Sequence, residues 1–235
     1  MNSVTRAIGL VLKFATTLSA MVGFRLDHLH PTWIALGASS LLLARAVEVR
    51  GEPSLTLAYF FATLVFYYGG NAAMLGTRIR ERWIARFGEQ RAFRQYETVV
   101  ALMFLNQGLG IGCVASLDGM VGAKFPVPHL YAIVLGAGLA GVGVLVKVWS
   151  TMILGVDVYY YKDLFLGRPV GEFVKRGPYR VLANPMYGVG HLHSYGWALC
   201  SGSVTALAAA LLTQASVYLF YFAVERPFVR RVYLA

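Results

Sequence analysis

Charged residues avoid four long stretches of this chain, and that avoidance sets the elements it predicts. No Asp, Glu, Lys, Arg or His occurs from Pro53 to Thr77 or from Thr98 to Leu117. Phe125 to Val146 is broken only by His129, and Val181 to Val224 holds no Asp, Glu, Lys or Arg. Uncharged apolar runs of about 20 residues match a hydrocarbon core about 30 Å thick. The pattern predicts an all-α, multi-pass transmembrane protein of about six or seven spans. Expected spans are Ile8–Phe24, interrupted by Lys13; Thr32–Val47, with Arg45 near its end; Pro53–Leu75; Thr98–Leu117; and Leu130–Leu154. As one helix, Pro185–Val224 would rise about 60 Å, twice the core thickness. Ser201-Gly202-Ser203 is a turn signal, so this run is expected to form a helical hairpin, Pro185–Cys200 and Val204–Val224. Ile8–Phe24 bears a slight likeness to a signal peptide; with the chain starting at Met1, it is expected to remain a helix.

Composition agrees. Of 235 residues, 57% are hydrophobic and 14% charged, against about 45–50% and about 25% in soluble domains. The length fits one domain. Cys113 and Cys200 lie inside apolar runs and imply neither a disulfide framework nor a zinc site. The net charge of +10 changes the picture only through its distribution. Arg78, Arg80, Arg82, Arg86, Arg91 and Arg94 share one loop; Lys162, Arg168, Lys175, Arg176 and Arg180 share another; Arg226, Arg230 and Arg231 lie at the C-terminus. Basic loops stay cytoplasmic and attract anionic headgroups, so the partner is a membrane surface and not nucleic acid. The hairpin then returns Asn184 and Glu225 to the cytoplasmic side. The Asp118–Pro128 loop, with Lys124 as its base, falls outside. Seven spans put the N-terminus outside; an interfacial Ile8–Phe24 puts it inside.

Three motifs stand out. Pro185 suits the first turn of a helix and Asn184 its cap. Asn184, Tyr187, His191 and Ser194/Tyr195 recur at three- and four-residue spacing, hence on one helical face. Polar groups gathered at membrane depth line cavities or substrate paths. His191 and His193 point apart, which argues against a shared metal; His193 is expected in packing or at the interface. Glu225 is an interface marker, a partner of Arg226, or the holder of a cationic group. Gly136, Gly138, Gly141 and Gly143 mean either close helix packing, through Gly136/Ala140 and Ala137/Gly141, or a helix on which a flat ligand lies. Their mid-helix context excludes a dinucleotide fingerprint. Tyr159-Tyr160-Tyr161 reads as an interfacial aromatic belt.

NPMYGVGHLHSYGWAL (Asn184–Leu199), Glu225-Arg226-Pro227-Phe228 and Tyr233 carry a family resemblance, with Gly141-Val142-Gly143, Gly155 and GPYR (Gly177–Arg180) before them. The chain from about Leu130 to Tyr233 resembles the integral-membrane phospholipid N-methyltransferases of the phosphatidylethanolamine N-methyltransferase type. More distantly it resembles the isoprenylcysteine carboxyl methyltransferases. Residues 98–235 are then the methyltransferase core, and residues 1–97 are N-terminal helices with a basic loop of no assigned role. The resemblance implies S-adenosylmethionine as cofactor, held by Gly141, Val142, Gly143 and Glu225, with Tyr179, Asn184, Pro185 and Tyr187 beside it. The family's second glutamate is Arg226 here, which would meet the cofactor carboxylate or a lipid phosphate. The wider superfamily's Arg-His is Ala183-Asn184 here, which favours the phosphatidylethanolamine branch.

The implied reaction is in-line attack of a phospholipid amine on the sulfonium methyl, towards phosphatidylcholine. Alignment supplies most of its acceleration. Tyr187 or His191 accepts the proton, with Asn184 as the third candidate catalytic residue. Tyr179, Tyr187 and Tyr195 offer faces to cations, and Arg180 or Arg176 grips a phosphate or carboxylate. No metal is implied, and the oligomeric state stays open. The site would face the cytoplasm from a bacterial inner membrane or the endoplasmic reticulum. Two other readings are methylation of a prenylcysteine carboxylate or isoprenoid, and a non-catalytic lipid-binding protein. A transporter is disfavoured, because no inverted repeat is present.

Overall fold

A computed structural model describes residues 3–25, 31–121 and 125–234; Lys124 lies outside them. Every regular element among these residues is helical: α1 (Ser3–Met21), α2 (Pro31–Arg50), α3 (Pro53–Leu64), α4 (Gly70–Gly76), α5 (Ile79–Phe87), α6 (Glu89–Ala115), α7 (Leu117–Val121) and α8 (His129–Leu154). Short α9 (Val156–Tyr159) and α10 (Lys162–Leu166) precede α11 (Leu192–Cys200), α12 (Val204–Phe220) and α13 (Arg226–Tyr233). A π-helical turn, Val65–Gly69, joins α3 to α4, and another, Tyr221–Glu225, joins α12 to α13.

Among the described residues four helices are long and apolar enough to cross a membrane: Pro31–Arg50, Glu89–Val121, His129–Leu154 and Val204–Tyr233. The expected hairpin is only partly present. Ser201–Gly202 does turn the chain, and the Ser203 side chain caps α12 by accepting from Ala206 N at 3.0 Å. The first arm, however, is α-helical only over the 9 residues of α11, about 14 Å at about 1.5 Å per residue. It cannot cross a core about 30 Å thick. Asn184 and Pro185 cap no helix: the backbone after them bends through Gly188 and a short 3₁₀ turn, Val189–His191.

Small residues decide where α11 lies. Ala132, Gly136 and Gly143 are the buried positions along one stripe of α8, and α8 with α11 forms the most extensive helix contact among the described residues. A Cβ on Gly136 would stand 2.6 Å from the Gly196 carbonyl, and one on Gly196 2.4 Å from Ala140 N. Gly143 is tighter still, with His193 N 2.3 Å from its absent Cβ. The two backbones therefore touch, the contact that stands in for hydrophobic packing between helices in a bilayer. The Gly136/Ala140 spacing is the packing stripe. Gly141 points the other way, into open space.

The basic end is a second cluster, largely aromatic. Tyr67, Phe93, Tyr96, Tyr160, Tyr161, Phe165, Phe220 and Phe228 are buried together, with Tyr96 stacked on Phe165 at 4.7 Å. The tyrosine triplet is thus core and not an interfacial belt: the Tyr160 hydroxyl donates to the Ala20 and Met21 carbonyls at 2.9 and 3.1 Å, satisfying the end of α1. Arg25 fastens the same end, donating at 2.7 Å to both Glu97 and Asp157, while Lys162 meets Asp157 at 2.6 Å. Burial works to raise the Asp157 carboxyl, but hydrogen bonds and charge from Lys162 and Arg25 outweigh it and hold it below its ordinary value.

Two predictions follow from these contacts. Gly143→Ala should lower the thermal midpoint in detergent, with overpacking costing about 1–3 kcal/mol, whereas Gly141→Ala should leave it unchanged. Asp157, lowered in the fold, contributes stability that is complete above its unfolded value of about 3.9 and is lost as pH falls below it. Acid release of α1, followed by proteolysis after Arg25, should therefore begin below about pH 4 and be weaker in Asp157→Asn, whose α1 is already loosened at neutral pH.

Candidate functional site

Between the 3₁₀ turn Gly177–Arg180 and α11 the backbone is irregular, yet it lies beside the last turns of α8. The absent Cβ of Gly190 would be 3.3 Å from Lys147 Cβ, and Thr151 Oγ1 reaches Met186 Sδ at 3.6 Å. Irregular backbone at this depth persists only where its polar groups are satisfied and it is enclosed or lines a cavity. Gly188 N donates to Asn184 O at 2.9 Å, Gly190 N to Pro185 O at 2.7 Å, and His191 N to Gly188 O at 2.9 Å. Gln214 of α12 donates from Nε2 to the Tyr187 carbonyl at 3.1 Å. Gly190 admits no side chain, since a Cβ would sit 3.0 Å from the Pro185 carbonyl.

The loop forms one wall of a cavity of about 630 Å³, within the range of about 300–1,000 Å³ usual for ligand sites. Glu225 enters at the end of its π turn, and Tyr187 Oη donates to Glu225 Oε2 at 2.7 Å. Tyr67, on the other π turn, and Tyr161 line the same space, and the Tyr161 phenol approaches those of Tyr67 and Tyr187. Tyr161 has φ of 59°, a left-handed conformation rare for a bulky residue and found at functional sites. Asp163 also faces the cavity. Burial raises its carboxyl above the ordinary value, although Leu164 N at 2.8 Å and Tyr233 Oη at 3.3 Å both donate to it. Lys147, His191, His193 and Thr213 line it as well, with Gln107, Ser194 and the Arg45–Glu48 ion pair, and the Thr213 hydroxyl is buried without a partner. Among the described residues no three His, Cys, Asp or Glu side chains gather as a metal set.

Residues 131–235, which contain this loop and Glu225, match the family model described as phospholipid methyltransferase. Over that stretch the chain is similar to the phospholipid methyltransferase family. Three curated proteins similar to it are named phosphatidylethanolamine N-methyltransferase. The one from Laccaria bicolor (strain S238N-H82 / ATCC MYA-4686) is 25% identical over 97% of this chain and 23% of its own length. That from Malassezia globosa (strain ATCC MYA-4612 / CBS 7966) is 36% identical over 38% of this chain and 10% of its own. That from Candida albicans (strain WO-1) is 31% identical over 43% and 12%. The chain spans less than a quarter of the length of these relatives. No solved structure matches it. The Laccaria alignment extends the likeness into the N-terminal half, beyond the stretch from Leu130 to Tyr233.

Within the matched region the structure brings together Tyr187, His191 and Glu225, and with them His193, expected only in packing or at the interface. They meet through a turn and not through helical spacing, since residues 184–188 are not helical. Asn184 and Pro185 supply the carbonyls that close the turn and stand behind the lining. Tyr179 is half-buried with its hydroxyl turned inward near Ser150, and burial, then the Glu225 charge, push its phenol up. Tyr195 is turned to Gln214, donating to Oε1 at 2.6 Å. Arg180 is exposed, and the Arg226 guanidinium lies 5.4 Å over the Phe222 ring, off the cavity. Gly141 and Val142 face outward and Gly143 is closed by His193, so none of the three lines the cavity.

Tyr67, Asp163 and Thr213 were not singled out by sequence, and Tyr161 was read only as part of an interfacial belt. Asp163, one of two acids (with Glu172) among the bases of its loop, carried a signal that could have found it. The tyrosines did not: a π turn and a left-handed φ place them.

Proposed function

We propose that the protein transfers a methyl group from S-adenosylmethionine to the amine headgroup of a phospholipid, phosphatidylethanolamine or its methylated forms, towards phosphatidylcholine. The observation that carries this reading is Glu225 in the family-matched region, bonded by Tyr187 and walled by Tyr67 and Tyr161 in one cavity. A carboxylate with tyrosine faces is the donor set suited to a sulfonium and an amine, both cations, and the unpartnered Thr213 hydroxyl can bond a further ligand atom. The relatives' name extends to this chain only through that proposal, because the chain covers so little of their length.

The cofactor, when bound, supplies an electrophilic methyl for in-line displacement. Glu225, Tyr187 and Asp163 would hold it, with Tyr67 and Tyr161 at its sides. The protein's own work is alignment of donor and acceptor and removal of one proton from the amine. His191 is placed for the latter. Its Nε2 lies 3.2 Å from the Ala210 carbonyl, which can only accept, so Nε2 carries the hydrogen and Nδ1 of the neutral ring keeps a lone pair. His193 Nδ1, 2.6 Å from the Gly190 carbonyl, is committed to holding the loop.

Residues 98–235 serve as the methyltransferase core, and the N-terminal part closes the cavity through α2 and Tyr67. Pro53–Gly76, helical throughout, is a further crossing beside the four long helices. The basic end, with Glu225 and Asp163, faces the cytoplasm by the distribution of its arginines.

The test is incubation of purified protein with radiolabelled S-adenosylmethionine and separate lipids. Transfer to phosphatidylethanolamine or its monomethyl form is expected, and Glu225→Gln should weaken cofactor binding at least about tenfold, an interaction to a charged group being worth about 1.5–3 kcal/mol. Transfer only to a prenylcysteine, or none with any lipid, would overturn the reading.

A further inference from the structure

Lys147 has no work in the scheme above, although its ammonium is the group most in need of a partner. It sits on α8, a helix that is apolar from Leu130 to Val146 and again after it, and it faces the cavity. Its Nζ lies 5.2 Å from the centre of the Phe104 ring, and His191 and His193 are the titratable rings beside it. Among the described residues no carboxylate stands within ion-pair distance of it. An ionisable side chain at membrane depth is costly and marks a ligand path unless paired. The loop fixes its place relative to the acid. Gly190 lies against Lys147, and Tyr187, only three residues earlier, is bonded to Glu225. The Gly190 and Tyr187 backbones are no more than about 11 Å apart, and Lys147, Tyr187 and Glu225 line one cavity, so a ligand in that cavity can meet the ammonium and the acid together.

We propose that Lys147 receives the phosphodiester of the lipid substrate, making the cavity a site for a zwitterion: anion on Lys147, amine towards Tyr187 and Glu225. This rests on the methyltransferase reading for the amine, while the phosphate contact is independent of turnover. Lys147 is then a specificity residue that distinguishes a phospholipid amine from a long-chain amine without phosphate.

Two amphiphiles of equal chain length test it by equilibrium binding to the full chain in a neutral detergent: an alkylphosphocholine and an alkyltrimethylammonium. Wild type should favour the phosphocholine about tenfold, Lys147→Met should bind both alike, and Lys147→Arg should keep the preference. If Lys147→Met does not fold, Lys147→Gln carries the same comparison. S-Adenosylmethionine affinity should be unchanged in the neutral variant. A preference kept in Lys147→Met, or absent from wild type, would overturn the proposal. So would an unaltered lipid preference with weakened cofactor binding, which assigns Lys147 to the cofactor carboxylate. A Lys147-dependent preference without methylation of any lipid would support this site while removing the methyltransferase reading.

Discussion

Contact between two backbones, α8 and α11, is the constraint on which the rest of the molecule depends. In a bilayer, water supplies no drive to press helices together, so close approach of small residues has to do it. Gly136, Ala140 and Gly143 on one side and Gly196 on the other leave no room for a single additional Cβ. That seam fixes α11, a helix too short to span, at one half of the depth of α8. The other half is then occupied by the Asn184–Gly190 turn, whose bonds are closed internally and by Gln214. The cavity is a consequence: a non-helical segment at depth exposes side chains in directions no helix would give them.

The second device is the pair of π turns. Each inserts one wide turn into a long apolar helix, and such turns recur at functional sites. Val65–Gly69 aims Tyr67 inward and Tyr221–Glu225 brings Glu225 to Tyr187. The N-terminal and C-terminal parts of the chain contribute one of these turns each to the same space, so the cavity exists only in the assembled bundle. Lining it are the carboxyls of Glu225, Asp163 and Glu48, the ammonium of Lys147, the guanidinium of Arg45 and several tyrosines.

Charge distribution made the fold class and the basic end legible in the sequence, because a charge excluded from hydrocarbon is a strong, one-dimensional signal. The Gly136/Ala140 stripe and the Ser201–Ser203 turn were legible for the same local reason. The Asn184 turn was not. Pro185 after Asn184 fits a helix start equally well, and a bond that holds the turn instead comes from Gln214 on a distant helix. The tyrosine triplet was misplaced because an amphipathic ring suits an interface or a core, and its deciding partners, Ala20 and Met21, are far away in sequence. Gly143 packs against His193, whereas Gly141 faces open space, a difference that spacing along the chain does not reveal.

The seam and the π turn bring Tyr187 to Glu225, and the proposed reading makes the pair one cation-binding unit. A double-mutant cycle on S-adenosylmethionine affinity, with Tyr187→Phe, Glu225→Gln and the pair, separates joint from independent action. Strong coupling is expected: the double variant binds about as weakly as Glu225→Gln alone. Additive losses from the two substitutions would mean that the residues act separately and that no such unit exists.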